Sequence, residues 1–87
     1  MHGTEALEWC TTNDPALAPL LKRYSLRNQA TRQAHAVFFE RWYPGSDVPR
    51  RRLVMLRGKP VFQVFDTSMS LAEVKAAIEL LVLFGDD

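Results

Sequence analysis

At 87 residues, with 47% hydrophobic and 24% charged side chains, the chain has the composition of one small globular domain, not of a disordered or fibrous segment. A single cysteine excludes an intrachain disulfide framework, and the longest apolar run, Leu80-Leu81-Val82-Leu83-Phe84, falls far short of the roughly twenty residues a membrane span requires. The net charge is only +1, yet residues 22–59 hold ten of the eleven basic side chains against two acids, Glu40 and Asp47, a block of +8 between flanks of −3 and −4.

The N-terminus, Met-His-Gly-Thr-Glu, has no basic head leading into an apolar run and does not read as a secretory leader. The expectation is therefore a soluble, cytoplasmic, single domain over 1–87, with residues 1–13 fraying in part. Leu7 and Trp9 belong to a short piece of unassigned type. Asp14-Pro15 reads as a helix start, a capping carboxylate followed by a ring already set to helical φ. Leu17, Leu20, Leu21 and Tyr24 then share one helical face, with Pro19 marking either a start or a kink, so a helix is expected up to about residue 29.

Residues 30–43 admit two readings. As a helix, Ala30, Ala34, Val37, Phe38 and Trp42 share a face; as a strand over 35–43, Val37, Phe38, Phe39, Trp42 and Tyr43 are the types strands favour. The strand is preferred, and Pro44-Gly45 ends either element. Leu53-Val54-Met55-Leu56 and Val61-Phe62-Gln63-Val64-Phe65 around Arg57-Gly58-Lys59-Pro60 form a β-hairpin signal. Pairing Leu56 with Val61 puts Leu53, Met55, Phe62 and Val64 on one apolar face. Pro60, lacking an N–H, argues for a loop longer than two residues. Ser70 and Glu73 form a capping box, Met69 and Val74 a hydrophobic staple, and Leu71, Val74, Ala77, Ile78 and Leu81 continue as a helix over 70–84 that Gly85 ends.

The sum is an α+β two-layer domain, helices on a two- or three-stranded antiparallel sheet in the order α-β-β-β-α, with α-α-β-β-α as the alternative. The preferred order is similar to that of double-stranded-RNA-binding domains. However, the lysine cluster that opens the last helix of that family is replaced here by Leu71, Ala72 and Glu73, and membership is not inferred.

The ingredients of catalysis are scarce. His35 is the one imidazole away from the N-terminus, no Cys/His set has zinc spacing, and Gly58 belongs to no phosphate loop. Cys10 reads as a buried structural thiol, and Ser68 and Ser70 as turn and cap residues. The chain is thus expected to be a non-enzymatic regulatory or inhibitory protein, with no metal ligands and no cofactor. Its binding residues are read as Arg50, Arg51, Arg52, Arg57 and Lys59 on the hairpin with Arg41, Trp42 and Tyr43, joined by Phe39 as an anchor.

Strand alternation sends Arg50 and Arg52 to one face and Arg51 to the other. The favoured partner is a protein with an acidic surface, because arginine's planar fork binds carboxylates two-pronged. The alternative is a nucleic acid contacted through phosphates, against which the pI of 7.9 weighs. Five apolar residues in a row cover every side of the last helical turn. Leu80, Val82 and Leu83 are therefore candidate contacts of a homodimer, which would also relieve a small core.

Overall fold

Strands occupy most of the chain. The computed structural model describes residues 6–13, 16 and 20–85, and in it β1 (Leu7–Thr12), β2 (Leu21–Asn28), β3 (Ala34–Arg41), β4 (Arg50–Leu56) and β5 (Lys59–Val64) precede a single helix, α1 (Leu71–Phe84). The strands form one antiparallel meander in sequence order. The fold is α+β, but its sheet has five strands in place of two or three, and α1 is the one helix among the described residues. The likeness in element order to double-stranded-RNA-binding domains goes with that correction.

The expected first helix is overturned where it is described. Leu21 to Asn28 also alternates in period two, and pairing decides between the periods: Tyr24 and Leu26 are buried beneath α1, while Leu21, Arg23 and Arg27 face the other way. Asp14, Pro15, Leu17 and Pro19 lie outside the described residues. Leu7 and Trp9 belong to β1, paired along its whole length with β2. The strand reading of 35–43 holds as Ala34–Arg41, and the alternative helix there does not form.

The hairpin closes more tightly than expected. Leu56 pairs with Lys59, not Val61, and the two-residue turn Arg57-Gly58 has φ of 54° and 80°, the left-handed pair a type I′ turn requires. Pro60 opposes Met55, one step beyond the closing pair, so its missing N–H removes no closing bond. Val54 has no register partner in either neighbouring strand. This bulge reverses the alternation of β4: Leu53 enters the core, whereas Phe62 and Val64 lie on the opposite face beside Arg52, 73% and 53% exposed.

α1 starts where the sequence indicates. Ser70 Oγ accepts from Glu73 N at 3.1 Å and Glu73 Oε1 accepts from Ser70 N at 2.8 Å. Val74, Ile78 and Val82 are its buried stripe, set against Tyr24, Leu26, Ala36, Phe38, Leu53 and Phe65. Phe38 is the centre of the core, stacked on Tyr24 at 4.7 Å and met edge-on by Trp9 at 5.4 Å. Trp9 also donates its indole N–H to Glu79 at 2.8 Å, and Lys75 lies over the Trp9 and Tyr24 rings, so the sheet grips the polar edge of the helix as well as its apolar stripe. No helix among the described residues is long and apolar enough to cross a membrane.

Candidate binding groove

A meander with one helix leaves its second sheet face without a covering layer among the described residues, and on that face the register collects arginines. Arg23 opposes Phe39, Phe39 opposes Arg52, and Arg52 opposes Val64; one row over, Leu21 opposes Arg41 and Arg41 opposes Arg50. Directly opposed residues project to the same side, so four guanidiniums from β2, β3 and β4 share one surface. A groove of about 600 Å³ runs along that surface, lined by Leu21, Phe39, Arg41, Tyr43, Arg50, Arg51, Arg52, Phe62 and Val64. A smaller hollow of about 360 Å³, formed with Ser46, Val48 and Thr67, shares Tyr43 and Arg50 with it.

The cations here are held by rings and not by acids. Arg41 and Arg50 lie 6.0 and 5.8 Å from the Tyr43 ring centre, and Arg52 lies 4.9 Å from that of Phe62. None of Arg23, Arg41, Arg50 and Arg52 meets a described carboxylate. Stacking on an aromatic face orients a guanidinium while its N–H edges stay open to a ligand.

Other members of the basic block have partners inside the molecule. Arg51 points to the helix side, its side chain only 11% exposed; its Nε donates to Glu40 Oε2 at 2.8 Å and its Nη1 to the carbonyl of Met69 at 3.1 Å. Buried Glu40 also accepts from the Trp42 indole at 3.2 Å and the Tyr24 hydroxyl at 3.3 Å. Burial, followed by the charge of Glu40 and its hydrogen bond, pushes the Tyr24 phenol above its usual range. Arg57 donates to the Gly85 carbonyl at the end of α1, at 2.5 Å. Arg32 bonds to Glu8 at 2.8 Å and holds that carboxyl below its ordinary range. Arg27 donates to the Arg32 carbonyl at 2.6 Å.

The predicted binding set therefore divides. Arg41, Tyr43, Arg50 and Arg52 come together with Phe39 at the groove. Arg51 and Trp42 belong to the buried network, Arg57 to the end of α1, and Lys59 to the exposed hairpin turn. Leu21, Phe62 and Val64 line the groove unpredicted and Arg23 shares its face opposite Phe39, and period-two alternation in Leu21 to Asn28 was the sign that would have brought in Leu21 and Arg23. In the dimer set, Leu80 and Leu83 are exposed but Val82 is 8% exposed and part of the core, since it continues the stripe of Val74 and Ile78 at four-residue spacing. Cys10 is half-buried where full burial was expected, its Sγ 3.2 Å from Arg32 Nη2. Among the described residues no three His, Cys, Asp or Glu side chains converge to hold a metal ion. Compared with known proteins, the chain matches no protein-family model, no curated protein and no solved structure.

Proposed function

We propose that the protein is a non-enzymatic binding module, regulatory or inhibitory in role, that captures an acidic segment of a protein partner on its open sheet face. The observation that carries this reading is the set of three ring-held arginines, Arg41, Arg50 and Arg52, with Arg23 on the same face and none of the four paired with a described carboxylate, around a floor of Leu21, Phe39 and Val64. Carboxylates would meet the guanidinium edges while apolar neighbours on the same segment cover the floor. A floor of this kind suits a segment that carries apolar as well as acidic side chains better than a run of phosphates.

A nucleic acid is the second reading, favoured by the exposure of Tyr43 and Phe62 on a basic sheet face, where unpaired bases stack. Fluorescence anisotropy with a labelled glutamate-rich peptide and a labelled thymidine oligonucleotide of equal charge separates the two. The expected result is binding of the peptide that Arg50→Glu/Arg52→Glu abolishes without changing thermal unfolding. Tight, strongly salt-dependent binding of the oligonucleotide alone would replace the first reading by the second. Arg51 is left out of the variant because its loss would damage the fold.

A homodimer through α1 is a further proposal, now resting on Leu80, Leu83 and Phe84 with Ala72 and Ala76 along an outer stripe whose exposed Glu73 is turned back onto the backbone N–H of Ser70. Sedimentation of the parent chain and of Leu80→Glu/Leu83→Glu tests it: a dimer that becomes monomeric is expected, and a monomeric parent would refute it.

A further inference from the structure

We infer that the acidic partner segment is extended and adds to the free edge of β5 as a sixth strand. This rests on the reading of the open face as the binding site and specifies how the site is used. The sheet order ends at β5, which among the described residues has a neighbouring strand on one side only. The backbone N–H of Phe65 donates to the carbonyl of Arg51 at 2.9 Å, so 51 and 65 are a hydrogen-bonded pair, and Arg52 with Val64 is the adjoining non-hydrogen-bonded pair. The N–H and C=O of Val64 therefore point away from β4, and by alternation so do those of Phe62. These two residues also carry the exposed apolar side chains of the strand. An incoming strand would find outward backbone partners and uncovered apolar surface at the same two positions.

Charge decides what kind of strand it would be. Arg52 projects from β4, yet its guanidinium lies over the ring of Phe62 on β5, about half of the way to where a sixth strand, about 4.8 Å beyond β5, would run. Carboxylates on the open-face side of that strand would come within its reach. A second copy of this chain pairing edge to edge would instead place two arginine rows along one seam, while Glu8, an acid of the same face, lies at the opposite edge on β1 and is already paired with Arg32. Pro60 sits at the next outward position and has no N–H to offer, which confines the partner to the Phe62–Val64 end of the edge.

The probe is a labelled ten-residue peptide alternating Glu and Val, with two isomers carrying backbone N-methyl groups on all Glu or on all Val residues. In a strand the N–H groups of alternate residues point to opposite edges, so strand addition predicts that one isomer loses affinity about tenfold or more while the other stays within about twofold of the parent peptide. Val64→Pro, which removes an outward N–H together with the valine side chain, should weaken the parent peptide about tenfold, and Val64→Ala, which keeps that N–H, should weaken it less, both with the thermal unfolding temperature retained. If Arg50→Glu/Arg52→Glu abolishes binding but both isomers bind alike, strand addition is wrong and the groove reading stands. If the parent peptide does not bind, or binds equally to the charge-reversed variant, both readings are lost. Preferential binding of a thymidine oligonucleotide, indifferent to Val64→Pro, would also overturn the inference. Because the N-methyl comparison uses the unaltered protein, it decides the matter even if Val64→Pro fails to fold.

Discussion

Three consecutive arginines, Arg50, Arg51 and Arg52, carry the same charge and different consequences. Arg51 is enclosed with Glu40, whose oxygens also take the Tyr24 hydroxyl and the Trp42 indole. Its removal leaves a carboxylate buried without its counter-charge, a loss of about 3–5 kcal/mol, a large part of the 5–15 kcal/mol by which domains are typically stable. Arg50 and Arg52 contact only ring faces, so Arg50→Ala and Arg52→Ala are expected to change stability by no more than about 0.5 kcal/mol. Urea unfolding of the three alanine variants checks this, and equal midpoints would contradict the buried pair. Tyr24 gives the network a pH signature. Its phenol is raised in the folded state by burial and by Glu40, whereas an unfolded tyrosine ionises near about pH 10. The folded state thus holds the proton more tightly, and the stabilisation is full below that pH and is lost as pH rises toward the folded value. The melting temperature should fall above about pH 10, and Tyr24→Phe, though less stable at neutral pH, should show a shallower fall.

The elements differ in how far their own residues determine them. α1 is announced by Ser70, Glu73 and a four-residue apolar spacing, all within one segment, and it forms where those residues indicate. β3 follows from its run of aromatic and β-branched side chains. β2 does not, because Leu21 and Tyr24 satisfy a helical period as well as Tyr24 and Leu26 satisfy a strand period, and the choice is made by β1 and β3 lying on either side. The face assignment in the hairpin fails for a related reason: the bulge at Val54 is a property of three strands together and leaves no mark in the composition of one. Part of the groove was therefore visible from residue types, and the part contributed by Leu21, Phe62 and Val64 depended on pairing. The turn offers a test at this scale. Gly58 has φ +80° with open space around its Cα, so Gly58→Ala meets no steric neighbour and should cost only the left-handed backbone penalty, about 1–2 kcal/mol. A neutral substitution, with midpoints unchanged in urea, would mean that the hairpin tolerates a different turn.

Across the whole molecule, the +8 block is sorted by topology into pairs and a surface. Arg27, Arg32, Arg51 and Arg57 have acceptors within the chain, while Arg23, Arg41, Arg50 and Arg52 face one way from the uncovered side of the sheet. Glu73 and Glu79 stand on α1, against the other side. A net charge of +1 thus coexists with one basic face, and a near-neutral pI does not argue against an electrostatically guided encounter. Field and contact then govern different steps of binding. Charges not paired in the free protein steer approach over about a Debye length, about 10 Å at 0.1 M salt, whereas apolar contact is made only once the partner is seated. Stopped-flow measurement with the Glu–Val peptide should therefore show an association rate that falls about tenfold or more between about 0.05 and 0.5 M NaCl, with dissociation little changed. Arg23→Gln, which removes a rim charge, should lower association alone, and Phe62→Ala should speed dissociation alone. If salt and Phe62→Ala instead act on the same rate constant, the separation between a guiding arginine rim and an anchoring apolar edge does not hold.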